Sequence, residues 1–231
     1  MKKNNYYIVA GCRPWNRRTF EDTISSYPGE WVFVNNREKL AAATERQEPK
    51  YIFFLHWNWI VPESLLSIFP CVCFHMADVP YARGGSPLQN LIVRGHRATK
   101  LTALKMVNEM DAGPVYLKRD LSIEGNAEEI YIRASALSAE MIRFIITENP
   151  QPVEQTGEVV EFPRRKPAQS VIAGQDNLLG VYDHIRMLDA EGYPAAFLDH
   201  DGFRYTFRRA GFYDGRVEAD VTIVPLPGDT V

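Results

Sequence analysis

The sequence predicts an α/β fold: a Rossmann-like, mostly parallel sheet with helices on both faces, plus a small β-rich C-terminal extension. Short apolar runs alternate with helix-like segments through the first 150 residues. This alternation is typical of parallel strands joined by right-handed crossovers. Beyond the Pro-rich break at 149–152, short β-like runs separated by Asp-Gly turns replace it. We therefore expect a main domain over residues 1–150 and an extension with a short helix and β-strands over residues 151–231.

The elements of the main domain follow from apolar periodicity and from end signals. Residues 51–55 are nearly all apolar, as is typical of a strand buried on both faces. Ser86 is the expected N-cap of a helix that has Pro87 at its first position, and Asn126 with Glu129 predicts a capping box. The strands are expected at 6–10, 31–35, 51–55, 71–74, 100–107 and 114–122. The helices are expected at 16–27, 37–46, 62–68, 87–94 and from 126 onward.

The extension begins with an expected strand at 158–162 and an exposed basic connection at 163–167. A short amphipathic helix is expected at 178–188. Strands at 195–198, 203–208 and 217–224 are joined by turns at Asp201-Gly202 and Asp214-Gly215. The pattern indicates a small sheet, not a second core of α/β type.

Composition and charge weigh against several classes of function. The 231-residue chain has a net charge of −3, which offers no broad electrostatic case for binding nucleic acid. Its longest apolar runs fall short of the roughly 18 residues of a membrane span. Three cysteines suggest no disulfide framework, and the Cys71-x-Cys73 pair lacks a second pair to complete a metal site. We expect a cytoplasmic protein without metal, membrane or nucleic-acid partner.

Two polar residues follow strand-like runs in the middle of the chain. The apolar run before His75 ends abruptly at that histidine, where a ligand-binding residue of a parallel sheet would emerge. Asp111 lies in the tight Asp-Ala-Gly turn that follows the next extended run. Histidine titrates near neutral pH, and a carboxylate can orient it or accept a proton. His75 and Asp111 are therefore the candidate catalytic pair.

The region from about Lys50 to Glu148 resembles the formyltransferase family that uses N10-formyltetrahydrofolate. The resemblance rests on His75, on Arg83-Gly84 with Pro87, and on Asp111-Ala112-Gly113, in that order. Two departures are visible. Cys73 occupies the position of the family asparagine, and Ala77-Asp78-Val79-Pro80 replaces the usual Ser-Leu-Leu-Pro. The resemblance implies the same fold and a formyl-transfer activity.

The resemblance also implies two binding segments. The loop after the third strand, which ends in a Pro before a helix, would line the pterin pocket of the co-substrate, N10-formyltetrahydrofolate. The loop after His75 would border the amine substrate. The implied co-substrate-binding residues are Trp57, Asn58, Trp59 and Ile60, and the implied substrate-binding residues are Arg83, Gly84 and Gly85.

Because Cys73 replaces the family asparagine, the sequence does not determine which group donates a hydrogen bond to the oxyanion of the reaction. A backbone N–H, a water molecule or Asn58 can serve, and Cys73 itself can be considered as a nucleophile beside His75.

We expect an N-formyltransferase that acts on an amino sugar, nucleotide-linked, and forms a homodimer. Three alternatives remain: transfer to another small amine, hydrolysis of the formyl-folate, and non-catalytic binding of a folate or a nucleotide.

Overall fold

The computed structural model of the protein describes residues 5–226. Its main sheet has six strands in the spatial order β2-β1-β3-β4-β6-β7. These strands are β1 (Tyr6–Gly11), β2 (Glu30–Val34), β3 (Tyr51–Leu55), β4 (Cys71–His75), β6 (Ala98–Lys105) and β7 (Val115–Ser122). Between β4 and β6 in the chain lies the short strand β5 (Tyr81–Gly84), which pairs with β8 (Val160–Phe162) in a separate two-stranded sheet.

The main sheet is mostly parallel, as the sequence predicts. β1 is parallel to β2 and β3, and β3 is parallel to β4, whereas β6 runs antiparallel to β4. Every residue of β1 and β3 is buried, so both faces of these strands are covered. In the sheet, β2 lies on one side of β1 and β3 on the other. The loops that follow β1 and β3 therefore lead away in opposite directions at the carboxyl ends of these two strands. In open α/β sheets such a switch point is the usual site of a ligand-binding crevice.

The helices lie where the sequence predicts them. They are α1 (Pro14–Asp22), α2 (Arg37–Arg46), α3 (Glu63–Leu66), α4 (Pro87–Val93), α5 (Ala127–Glu148) and α6 (Leu178–Arg186). Helix α2 has the predicted bounds, and the others differ at one or both ends. The predicted capping box at α5 is confirmed by reciprocal 2.9 Å hydrogen bonds between Asn126 and Glu129. The helix expected over 16–27 ends at Asp22 and continues only as a 3₁₀ turn at Ile24–Ser26.

The predicted N-cap role of Ser86 is wrong in its mechanism. Ser86 precedes α4 but lies in the left-handed region (φ +49°) and makes no capping hydrogen bond. Its Oγ instead accepts a 3.1 Å bond from the Arg165 N–H. The basic connection thus pairs with the start of α4, a long-range contact that a local capping rule does not include.

The C-terminal part contains the expected small antiparallel sheet. Its strands, in the order β11-β10-β9, are β9 (Ala196–His200), β10 (Phe203–Tyr213) and β11 (Arg216–Pro225). The β10–β11 register shifts between Arg208 and Gly211, which marks a bulge. Asp189 stabilises it, because its Oδ2 accepts a 2.7 Å bond from the N–H of Arg209, a residue at φ +51°.

Backbone contacts divide the chain into two interleaved units. The first runs to Gly84 and continues with Thr99–Leu121 and Tyr131–Glu161. The second consists of Gly85–Ala98, Ser122–Ile130 and the described chain from Phe162 onward. The boundary at residue 150 remains a prediction about domains. That prediction assumes that each domain is one continuous segment, whereas α4 belongs to the same unit as the later segments.

Candidate active site

His75 is the last residue of β4 and lies at the carboxyl edge of the parallel strands. Its side chain is 8% exposed, and both ring nitrogens face oxygen atoms. Nδ1 lies 3.4 Å from Asp111 Oδ2, and Nε2 lies 2.7 Å from the Ala82 carbonyl oxygen. A neutral imidazole donates from one nitrogen only, whereas an imidazolium donates from both. The ring of His75 therefore lies between a carboxylate and a carbonyl oxygen, both of which can accept a hydrogen bond from it.

Asp111 reaches His75 through a returning loop. Because β6 is antiparallel to β4, its last residue, Lys105, pairs with Val72 at the end of β4 remote from His75. Residues 106–114 fold back along the sheet, and Asp111 itself adopts φ +54°. Its Oδ2 accepts a 3.0 Å hydrogen bond from the Gly84 N–H. The candidate catalytic pair of the sequence analysis is thus brought together by a strained, non-glycine turn.

Cys73 lies two residues before His75 on the same strand. Burial, together with the negative charge of Asp111, raises the pKa of the Cys73 thiol well above its ordinary value. Burial also raises the pKa of Cys71, to about 12. Only a thiolate is an effective nucleophile. The surroundings of Cys73 therefore oppose a nucleophilic role and give it the character of a small packing residue.

The loop after His75 holds the predicted substrate-binding residues in different settings. Gly84 donates its N–H to Asp111, as described above. The Arg83 side chain is 11% exposed, and its guanidinium donates to Gln155 Oε1 at 3.0 and 3.1 Å and to Glu109 at 3.3 Å. The guanidinium is thereby engaged with protein groups. Contact of Arg83 with a substrate remains a prediction.

Gly85 belongs to the second unit, where the backbone of Arg164 passes close by. A Cβ at position 85 would lie 2.5 Å from the Arg164 Cβ and 2.6 Å from its Cα. Close approach of protein backbone therefore explains this glycine without any ligand. Substrate binding by Gly85 remains a prediction.

The loop after β3 lies at the same edge of the sheet as His75, because β3 and β4 are parallel. Trp57 packs against the core beneath it and meets Trp59 edge to face, with ring centroids 4.8 Å apart. Asn58 is exposed, and the Ile60 side chain is 88% exposed. The loop therefore combines anchored aromatic rings with an apolar and a polar side chain that remain accessible.

Two polar residues near the site were not singled out by the sequence. The Gln155 amide donates to the carbonyl oxygens of Asp111 and Gly113 at 2.7 and 2.8 Å. Lys118 Nζ lies 2.5 Å from both Asp78 Oδ1 and the Val79 carbonyl oxygen, in the loop after His75. Both residues occur in segments whose patterns indicate only a solvated connection or a strand. No local signal distinguishes them from ordinary surface residues.

Within residues 5–226, one cavity and one cleft lie at opposite edges of the main sheet. A cavity of about 50 Å³ is lined by residues that include Asn16, His56 and Met76, at the carboxyl ends of β1, β3 and β4. A cleft of about 340 Å³ includes Tyr51 and Lys105 in its lining and lies at the other edge. Of these two cavities, the smaller is on the side of His75, and its lining is both aromatic and polar.

Residues 5–226 carry neither a metal-binding cluster nor a membrane-spanning helix. That part of the chain contains no group of three His, Cys, Asp or Glu side chains arranged to hold a metal ion. None of its helices has the length and apolar character required to cross a bilayer.

Comparisons with known proteins agree with this architecture. The model of the methionyl-tRNA formyltransferase C-terminal domain matches residues 167–224. A solved structure described as methionyl-tRNA formyltransferase from Clostridium thermocellum is 41% identical and has a TM-score of 0.90. That match covers 96% of this chain and 99% of the other.

Among curated proteins, the methionyl-tRNA formyltransferase of Thermodesulfovibrio yellowstonii is 27% identical over 60% of this chain and 47% of its own length. The chain thus spans about half the length of the curated relatives it matches first.

Two more distant structures share the fold. HypX from Aquifex aeolicus, solved in complex with tetrahydrofolic acid, is 15% identical with a TM-score of 0.70, over 90% of this chain and 38% of the other. A sugar N-formyltransferase from Shewanella sp. FDAARGOS_354 is 15% identical with a TM-score of 0.60, over 98% of this chain and 99% of the other.

The 41% identity with the Clostridium thermocellum protein extends over nearly the full length of both chains. The fold, the C-terminal family match and this relative lead to one conclusion: the chain belongs to the formyltransferase family.

Proposed function

We propose that the protein transfers a formyl group from N10-formyltetrahydrofolate to a primary amine. The observation that carries the proposal is the 3.4 Å approach of His75 Nδ1 to Asp111 Oδ2 at the ligand-binding edge of the sheet. An acid–base pair at this edge matches what the reaction requires. Membership of the formyltransferase family supports the same activity.

The chemistry needs one proton moved from the amine to the folate nitrogen. The amine nitrogen attacks the formyl carbon, and the tetrahedral intermediate carries an oxyanion. When the bond between that carbon and N10 breaks, N10 leaves with the electron pair and takes up a proton. His75 is proposed to accept the amine proton and to return it to N10, with Asp111 orienting the ring. Cys73 is proposed to take no covalent part, because its raised thiol pKa keeps it protonated.

The donor is proposed to bind at the loop that follows β3. Trp57 and Trp59 are held by packing, while Asn58 and Ile60 extend into solvent beside them. A flat pterin ring can pack against this apolar surface, and the Asn58 side chain can form hydrogen bonds with the polar edge of the ring. Asn58 also remains a candidate donor to the oxyanion.

The acceptor is proposed to be an amino sugar carried on a nucleotide. A net charge of −3 supports a small acceptor over a polyanionic one. Methionyl-tRNA is the second candidate, favoured by the description of the 41% identical structure and of the family model at residues 167–224. A cytoplasmic location and a homodimeric state remain predictions.

A turnover screen tests the proposal. The purified protein is mixed with N10-formyltetrahydrofolate and, separately, nucleotide-linked amino sugars, free small amines and methionyl-tRNA. Mass spectrometry is then used to look for a formylated acceptor. We expect formylation of an amino sugar that His75→Ala and Asp111→Ala both abolish. Formylation of methionyl-tRNA alone would replace the sugar proposal. Formate released without any acceptor would indicate hydrolysis, and folate binding without turnover would indicate a non-catalytic protein.

A further inference from the structure

The side chain of Gln155 uses its full hydrogen-bonding capacity on residues of the candidate site. Its NH₂ donates to the carbonyl oxygens of Asp111 and Gly113, at 2.7 and 2.8 Å. Its Oε1 accepts from Nε and Nη2 of Arg83, at 3.1 and 3.0 Å. An amide side chain has two N–H donors and two acceptor lone pairs, and here all four are used. The network also determines the orientation of the amide. In the reversed orientation, the NH₂ group would face the Arg83 guanidinium and the oxygen would face the two carbonyl oxygens.

The turn that Gln155 holds is poorly supported by its own backbone. Asp111 lies at φ +54°, and the hydrogen bond across the turn, from the Ala112 N–H to the Glu109 carbonyl, is 3.4 Å long. Met110 beside it is 64% exposed. A left-handed non-glycine residue persists only where its surroundings determine the conformation. The Gln155 amide is therefore a principal anchor of the backbone that carries the Asp111 carboxylate.

Gln155 also connects this turn to the loop after His75. Gln155 accepts hydrogen bonds from the guanidinium of Arg83. The next residue, Gly84, donates its N–H to Asp111 Oδ2 at 3.0 Å. Two residues before Gln155, Val153 forms a backbone bridge with Val115, with bonds of 2.7 and 2.9 Å. The segment that carries Gln155 is thus anchored to β7, and its side chain bonds both the Asp111 turn and the Arg83 guanidinium.

We infer that Gln155 is a positioning residue for formyl transfer, acting through Asp111. It holds the Asp111–Gly113 turn against β5, so that the carboxylate stays in register with His75. This inference rests on the proposed function. Gln155 does not lie within hydrogen-bond distance of His75, so its effect on the reaction passes through the position of Asp111.

Three variants separate this role from general stabilisation. Gln155→Leu removes all four hydrogen bonds at similar volume. Gln155→Glu retains an acceptor for Arg83. It also places a carboxylate oxygen, which cannot donate a hydrogen bond, next to the carbonyl oxygens of Asp111 and Gly113. Gln151→Leu makes the same chemical change at an exposed glutamine in the same connection and is the matched control.

We expect both Gln155 variants to lower kcat by roughly 10- to 100-fold, as small misplacements of a catalytic group do, with KM values changed by less than about threefold. In the Asp111→Asn background, Gln155→Leu should lower kcat by no more than about twofold. The control should keep wild-type kinetics. A wild-type kcat in Gln155→Leu, or an equal loss on top of Asp111→Asn, would overturn the inference.

A readout without turnover keeps the inference separate from the proposed function. If the wild-type protein formylates no acceptor, the proposed function fails and the anchor is tested by hydrogen–deuterium exchange. The amides of residues 106–114 should then exchange at least about tenfold faster in Gln155→Leu than in the wild type and in Gln151→Leu, because the turn opens locally. Unchanged exchange there would show that Gln155 does not position the turn.

Discussion

Gly113 approaches the backbone of Lys105 so closely that a Cβ at position 113 would lie 1.7 Å from the Lys105 carbonyl oxygen. The same two segments are joined by a 2.8 Å bond from the Lys105 N–H to the Pro114 carbonyl. The returning loop is therefore pressed against the end of β6, with no room for a side chain at this point. The position of Asp111, two residues earlier, depends on that contact.

Replacing Gly113 with alanine should destabilise the protein and displace Asp111. Overpacking of this kind costs about 1–3 kcal/mol or more, since the contact is with backbone that cannot rotate away. Gly180→Ala is the control, because the nearest atom to a Cβ there is the end of the flexible Gln175 side chain. It lies in helix α6, where alanine is favoured. Thermal unfolding should show a lower Tm for Gly113→Ala only, and an unchanged Tm would contradict the predicted overlap.

His75→Gln should lower kcat roughly 10²- to 10⁴-fold, the range expected for loss of a general acid–base group. Glutamine retains hydrogen bonding to Ala82 without the ability to exchange a proton near neutral pH. His200→Gln, at a 66%-exposed histidine of β9, is the matched substitution and should leave turnover unchanged. Steady-state kinetics on the acceptor found in the screen make the comparison. Equal activity of the two variants would remove His75 from the mechanism.

Cys73→Ala should retain activity within about tenfold, because the raised pKa keeps the Cys73 thiol protonated and poor as a nucleophile. Intact-protein mass spectrometry after a single turnover should detect no formylated enzyme. Complete loss of activity in Cys73→Ala, together with a formyl adduct on the wild-type protein, would instead support covalent catalysis.

Asp183→Asn should be strongly destabilising to the second unit. Asp183 accepts a 2.6 Å hydrogen bond from Arg186, whose side chain is 1% exposed, and lies 3.1 Å from Arg97. Removing one partner of a buried ion pair leaves an uncompensated charge and costs about 3–5 kcal/mol. Denaturant unfolding measures the change. Glu218→Gln is the control, since the Arg216–Glu218 pair is exposed on both sides and is worth little. A loss no greater than in the control would contradict the assigned role of Asp183.

Protonation of His184 should make the second unit less stable in acid. Burial lowers the pKa of His184 from 6.5, and the positive charge of Arg165 lowers it further. The hydrogen bond to the Ser170 carbonyl oxygen acts in the opposite direction. The side chain of Gln175 also faces the ring. Below about pH 6.5 the unfolded chain binds the proton before the folded chain does. The free energy of unfolding should therefore fall as the pH drops through this range. Denaturant titrations at pH 7.5 and 5.5 should show a smaller fall for His184→Gln, and equal falls would exclude His184 as the cause.

Much of the fold was predictable because strands and helices are encoded by local apolar spacing. Neighbouring residues predict the apolar runs at 51–55 and 71–74, the capping pair Asn126 and Glu129, and the position of His75 at a strand end. Asp111 could be named because its Asp-Ala-Gly turn resembles that of a known family. The antiparallel direction of β6 does not follow from these patterns, since an extended run reads alike in either direction.

The sequence by itself determined most of the elements and their order, although the short strand β5 was not predicted. It also led to the prediction that His75 and Asp111 form the candidate pair. What only the tertiary structure decided is how the loops meet. Arg83 bonds Gln155 and Glu109, Ser86 accepts from Arg165, and Gln155 holds the turn of Asp111. These contacts join residues tens of positions apart and require atoms within about 3 Å. Local propensity contains no such information, because the path of each loop depends on all the elements that it crosses.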